Sequence, residues 1–182
     1  MNRQLWTISN GLSFLRILLV IPIAVFVSSN ETNGRFIAGG LILVAALTDL
    51  FDGILARRLN QVSDIGKFID PLADKIAVGL ITAMLAVQNK IPLWFFFTAL
   101  ARDVIIFLGG MYIKKTRGIF LQSTMTGKWT VTVVAVYILI VVLDIGNLGV
   151  VKDIFLLASI VLLTISFGLY SLRFFQIINQ QM

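Results

Sequence analysis

Six apolar stretches run along the chain, at 11–29, 36–57, 67–88, 92–113, 126–143 and 150–172. Each is close to the ~20 residues that a helix needs to cross the hydrocarbon core of a bilayer. The pattern breaks at "SSNETNGR" (28–35), "NKIP" (89–92) and "DIGNLG" (144–149), where Gly, Pro, Asn and Asp end one helix and start the next. The predicted fold is all-α, a compact integral membrane bundle of six transmembrane helices. No internal repeat, heptad array, low-complexity tract or shift in composition interrupts it, so residues 1–182 read as a single domain.

Polar positions set the orientation. Arg3, Arg57, Arg58, Lys67, Lys114, Lys115, Arg117, Lys128 and Arg173 flank the spans on one side, against Arg35, Lys90 and Lys152 on the other. Basic residues favour the cytoplasmic face, so both termini are expected there, in the inner membrane of a cell. The N-terminal segment "MNRQLWTISNGLSFLRILLVIPIAVFV" has no obvious small-residue cleavage site and reads as a retained first span with an interfacial lead-in around Trp6. Composition agrees: 58% of the residues are hydrophobic, 13% are charged, and the mean hydropathy is +0.96. A net charge of +6 in so apolar a chain points to basic loops facing anionic lipid and not to nucleic acid. The chain has no cysteine and no histidine. Disulfides, thiolate metal sites and the commonest general base are excluded, which leaves carboxylates, Lys, Arg, hydroxyls, backbone and metal ions for any chemistry.

Against that background "TDLFDGILARRLNQVSDIGKFIDPLADK" (48–75) carries five aspartates. On a helix Asp49, Asp52, Gly53, Ala56 and Arg57 follow i, i+3, i+4, i+7 and i+8 and share one face; Gly66, Asp70 and Asp74 do the same at the start of the next span. Two antiparallel helices would then turn four carboxylates toward each other. At about 5.5 Å and an effective dielectric of about 20, each like-charge contact costs about 3 kcal/mol, so four need cations or protons. An all-carboxylate set selects hard ions, Mg²⁺ or Mn²⁺ and less readily Ca²⁺. Two such ions would balance four charges and form the clamp used in phosphoryl and pyrophosphate chemistry. Gly53, Ala56 and Gly66 leave room beside the carboxylates, and Arg57 offers a planar fork for a phosphate. The competing account is juxtamembrane charge, the aspartates pairing with Arg57, Arg58, Lys67 and Lys75; it is favoured for Asp64, which lies in the loop. Pro71 falls near enough to the helix start to be tolerated.

The string Asp49, Asp52, Gly53, Ala56, Arg57, Gly66, Asp70, Asp74 reads D-x2-D-G-x2-A-R-x8-G-x3-D-x3-D. It resembles the complete signature of the CDP-alcohol phosphatidyltransferases. The resemblance implies six transmembrane helices around a polar cavity open to the cytoplasm, usually in a homodimer. It also implies two metal ions held by Asp49, Asp52, Asp70 and Asp74, with Asp74 as general base. Gly53, Arg57 and Ser63 would contact the nucleotide of a CDP-activated lipid. "SNGLSFLR" (9–16) is similar to the segment that crosses the nucleotide in this family, through Asn10 and Ser13; capping of the first helix by Ser9 or Asn10 is the alternative. The implied reaction transfers the phosphatidyl group of CDP-diacylglycerol to an alcohol and releases CMP.

The acceptor is marked by basic residues. Arg102, expected near the start of the fourth span on the side away from the cytoplasm, and Lys128 at the entry to the fifth, with Lys75 and Lys67, could bind an acceptor that carries phosphate. For Arg102 a buried pair with Asp103 or Asp74 is the other reading. Lys114, Lys115 and Arg117 read as a basic rim facing anionic lipid. This inventory resembles phosphatidylglycerophosphate synthases, whose acceptor is glycerol 3-phosphate. Asp103-Val104 stands where that subfamily has Glu-Phe, and Trp129-Thr130 where it has a further lysine. "RDV" is more like the cardiolipin synthases, which use phosphatidylglycerol; serine and inositol phosphate acceptors rank behind. A cation transporter would need carboxylates through the bilayer depth and inverted repeats, and a passive scaffold leaves the spaced aspartates without purpose.

Overall fold

The computed structural model describes residues 8–29, 31–58, 66–118 and 124–179, with side chains for 15–29, 31–48, 75–118, 124–146 and 148–179. The described residues are helical with short connections, as the apolar pattern predicts. The helices are α1 (Ile8–Ser28), α2 (Thr32–Arg58), α3 (Gly66–Val87), α4 (Leu93–Arg117), α5 (Met125–Leu143) and α6 (Gly149–Asn179), with a 3-10 turn over Gly146–Leu148. Among the described residues α4, α5 and α6 are long and apolar enough to cross a membrane. Large apolar side chains stay exposed on every helix, for example Ile21, Phe36, Val78, Phe97, Val131 and Leu157. In water such a surface would drive aggregation, whereas lipid tails solvate it. The chain is a membrane protein.

Local chemistry sets the helix ends. Pro92 has an extended backbone and starts α4, its carbonyl accepting from Phe95 and Phe96 at 3.0 and 3.3 Å. Gly118 ends it in the left-handed region at φ 67°, its N–H returning to the Lys114 carbonyl. Lys114, Lys115 and Arg117 fill the last turn of α4, where cations complement the helix dipole. Thr124 caps α5 by accepting from the Gly127 N–H at 3.0 Å.

Three boundaries differ from the sequence reading. First, α2 begins at Thr32, so Asn33 and Gly34, read as a turn, are helical. Gly34 is there for close approach: a Cβ on it would collide with the Ser29 hydroxyl and sit 2.9 Å from the Phe26 carbonyl oxygen. Second, α4 continues to Arg117, so the basic residues assigned to a loop lie on a helix. Third, α6 runs past Arg173 to Asn179. Arg102 moves with the second change. It lies about 13 Å along α4 from Leu93, near the middle of the helix and not at its start.

The helices group into two compact units, Met1–Gln88 and Asn89–Met182. In the first, α1 packs on both α2 and α3. Val20, Ile23 and Val27 of α1 are buried, as are Ala38 of α2 and Ala77, Ile81 and Leu85 of α3. The short link after Ser28 makes α1 and α2 antiparallel. Gln88, just beyond α3, donates its side-chain amide to the Ser28 hydroxyl at 3.0 Å, which sets the C-terminal ends of α1 and α3 side by side. Those two helices therefore run parallel.

In the second unit α6 packs on α5 and α4. The Thr130 hydroxyl lies 3.2 Å from the Leu162 carbonyl and the 3-10 turn is short, so α5 and α6 are antiparallel. Tyr170 donates to the Ile106 carbonyl at 2.8 Å and Arg117 to the Ile178 carbonyl at 3.1 Å, so α4 and α6 are parallel. Gly109 makes room for this contact: a Cβ there would lie 3.3 Å from the Tyr170 oxygen. Phe95 and Tyr137 meet edge to face at 5.2 Å in the core.

Two glycine substitutions test this packing. Gly34→Ala is expected to destabilise the protein by about 1–3 kcal/mol, because a backbone carbonyl must move. Gly40→Ala, with open space around it, should be neutral or stabilising by up to about 1 kcal/mol through helix propensity. Thermal unfolding in detergent micelles measures both, and equal effects would contradict the close approach.

Candidate functional site

The four aspartates lie on continuous helix. Asp49 and Asp52 sit about 13 and 9 Å before the end of α2, and Asp70 and Asp74 about 6 and 12 Å after the start of α3. Helical backbone through both segments fulfils the spacing argument, so Asp49, Asp52, Gly53 and Ala56 share a face of α2, and Gly66, Asp70 and Asp74 share a face of α3. Pro71 is accommodated in α3 without ending it.

Helix direction then brings these segments to one end. With α1 antiparallel to α2 and parallel to α3, the end of α2 and the starts of α1 and α3 lie toward the same end of the unit. That end carries Asp49, Asp52, Gly53, Ala56 and Arg57 of α2, Gly66, Asp70, Asp74 and Lys75 of α3, and Asn10 and Ser13 of α1. Of these only Lys75, half-buried, has a described side chain; Ser63 lies outside the described residues. The same end holds a cation that the sequence reading passed over. Arg16 on α1 is buried, at 7% exposure, about 18 Å from Ser28, against about 21 Å from Gln88 to Asp74 and about 26 Å from Thr32 to Asp49. A guanidinium buried in an apolar helix needs anionic or polar neighbours.

The donor set fits a hard divalent ion. It is four carboxylates with no sulfur or imidazole, distributed over two helices that bring them to one end. The four aspartate side chains lie outside the described ones, and among the described side chains no group of three or more metal-ligating residues occurs.

A second polar cluster lies in the other unit. Arg102 reaches from α4, pairing through Nη1 with the Asp103 carboxylate at 2.5 Å and donating through Nη2 to the Ser166 hydroxyl of α6. Its side chain is 11% exposed, and its Nε is buried without a hydrogen-bond partner. The start of α5 closes on the same point. A Cβ on Gly127 would lie 3.9 Å from the Ser166 oxygen, and Lys128, the next residue, is exposed. Arg102 and the turn that carries Lys128, read together from the sequence, both approach Ser166. Lys75 belongs to the other unit. Arg102 does pair with Asp103, as the second reading of that arginine had it. Ser166 had no sequence signal, being one hydroxyl in a long apolar run. Arg16 had one, a charge inside a predicted span.

Comparison with known proteins gives this geometry a context. The sequence profile of the family described as CDP-alcohol phosphatidyltransferase matches residues 6–166, running through both units. A CDP-diacylglycerol–glycerol-3-phosphate 3-phosphatidyltransferase of Aquifex aeolicus is 30% identical over 180 residues, covering 96% of this chain and 99% of that protein. A protein of the same name from Rickettsia typhi is 37% identical over 82 residues, covering 45% of this chain and 46% of its own. Human cardiolipin synthase (CMP-forming) is 36% identical over 110 residues, covering 60% of this chain and 36% of the human protein. With the aspartate spacing and the helical frame that carries it, these matches identify the chain as a member of the CDP-alcohol phosphatidyltransferase family, a family of phosphatidyl-transferring enzymes.

Proposed function

We propose that this protein crosses the membrane six times and transfers a phosphatidyl group from CDP-diacylglycerol to glycerol 3-phosphate, releasing CMP at the cytoplasmic face. The observation that carries the reading is that the aspartate-bearing segments of α2 and α3 lie toward the same end of a helical unit, each helix packed on α1. Short apolar segments over Leu15–Ser28, Thr32–Thr48 and Lys75–Val87 support three further spans beside α4, α5 and α6. The lateral distribution of basic residues supports the orientation.

Asp49, Asp52, Asp70 and Asp74 would hold two Mg²⁺ or Mn²⁺ ions, which neutralise and polarise a bound pyrophosphate. Arg57 adds positive charge for the diphosphate, while Gly53, Ala56 and Gly66 let the nucleotide approach the helix backbone. Asn10, Ser13 and Ser63 supply polar contacts to it. Asp74 takes the proton of the acceptor hydroxyl. The freed oxygen attacks the phosphorus that bears diacylglycerol, and the bond to the CMP oxygen breaks. Arg102 and Lys128 hold the phosphate of the acceptor. The lipid chains of donor and product stay in the bilayer throughout, which explains why the enzyme is built from apolar helices.

The near full-length match to the Aquifex protein favours glycerol 3-phosphate. The shorter match to human cardiolipin synthase, together with Arg102-Asp103-Val104, favours phosphatidylglycerol as the second reading. Purified protein given labelled CDP-diacylglycerol and each candidate acceptor is expected to form phosphatidylglycerophosphate. Cardiolipin as the product would install the second reading. CMP release should vanish with EDTA and return with Mg²⁺ or Mn²⁺. Asp74→Asn should reduce the rate by about 10²-fold or more, the range for loss of a general base; unchanged CMP release by this variant removes Asp74 from that role.

A further inference from the structure

Hydroxyls inside these helices have a habit from which Ser166 departs. Thr82, Thr98, Thr130 and Ser159 each return the hydroxyl to the carbonyl four residues earlier, at 2.6 to 2.8 Å. That bond satisfies a buried hydroxyl within its own helix. Ser166 is 2% exposed and accepts from Arg102 of the neighbouring helix.

The consequence falls on Arg102. An arginine side chain has about 2 kcal/mol of rotamer entropy to lose, so a guanidinium that must meet a ligand is effective when its plane is fixed beforehand. Here one terminal nitrogen is held by Asp103 from the same helix and the other by Ser166 from α6. A single anchor would let the fork swing about its bond; two anchors on different helices fix the plane. Gly127 brings the first turn of α5 against Ser166 from the remaining side, which places Lys128 on the same turn. Tyr170, one turn further along α6, clamps α4 through the Ile106 carbonyl and holds the two helices in register.

We propose that Ser166 is a positioning residue for acceptor recognition: it fixes the Arg102 guanidinium, in concert with Asp103, so that the cation is presented in one orientation to the phosphate of the acceptor alcohol. The inference rests on the proposed transferase reading and adds to it a residue that touches neither the donor nor the reacting atoms. Its loss therefore weakens capture of the phosphorylated acceptor while leaving donor binding alone.

Steady-state CMP release in detergent micelles, varying glycerol 3-phosphate and CDP-diacylglycerol in turn, tests it. Ser166→Ala should raise the KM for glycerol 3-phosphate about tenfold, the usual consequence of losing one hydrogen bond to a charged group. The KM for CDP-diacylglycerol and kcat should stay within about twofold. Ser166→Thr, which keeps the hydroxyl, should restore most of the acceptor affinity. In an Arg102→Lys background Ser166→Ala should add less than about twofold, because the two residues act as one unit. An unchanged acceptor KM, a parallel rise in both KM values, or full additivity with Arg102→Lys would overturn the positioning role while leaving the transferase reading intact. A wild-type protein that releases no CMP with any acceptor would remove both.

Discussion

Charge inside an apolar helix is costly in lipid unless neighbouring groups answer it, and this chain places its charges where they can be answered. Arg102 sits in the middle of α4 and is met by Asp103 and Ser166. Arg16 is buried on α1, in the half of the helix that lies toward the aspartate-bearing end of the unit. The aspartates themselves occupy the ends of α2 and α3 that helix direction brings together. Elsewhere the helices carry apolar side chains outward as well as inward, which is the surface a bilayer accepts.

The division of labour follows from that constraint. The unit built from α1, α2 and α3 carries its aspartates, with Gly53, Ala56 and Gly66, toward one end, where the proposed reading puts divalent ions and a phosphate-rich ligand. The unit built from α4, α5 and α6 gathers Arg102, the first turn of α5 and Lys128, a place suited to an anion. The family profile runs through both units.

Much of the frame was legible in the amino-acid pattern, for a physical reason. Spans of about 20 apolar residues are imposed by bilayer thickness, so α1, α3 and α5 fall within a few residues of the predicted ranges. The errors arose where one residue type serves two purposes. Asn33-Gly34 has the composition of a turn, but Gly34 is needed where α2 crosses α1. Lys114 and Lys115 have the composition of a loop, but long cationic side chains also suit the last turn of a helix, where their stems lie along apolar surface. The aspartate spacing was readable because period and chemistry coincide. Ser166 was not, since its role depends on α4 and α6 running parallel in a register that no local pattern encodes.

The claim at the centre of this account is that carboxylates from two helix ends create a paired divalent-ion site. Its most direct measurement is the number of Mn²⁺ ions bound per chain, read by electron paramagnetic resonance on purified protein with CDP-diacylglycerol present. The account predicts two ions close enough to couple magnetically, at about 4 Å, and loss of that signal in Asp49→Asn and in Asp70→Asn alike. Absence of bound manganese in the wild type, or binding that survives both substitutions, would contradict it.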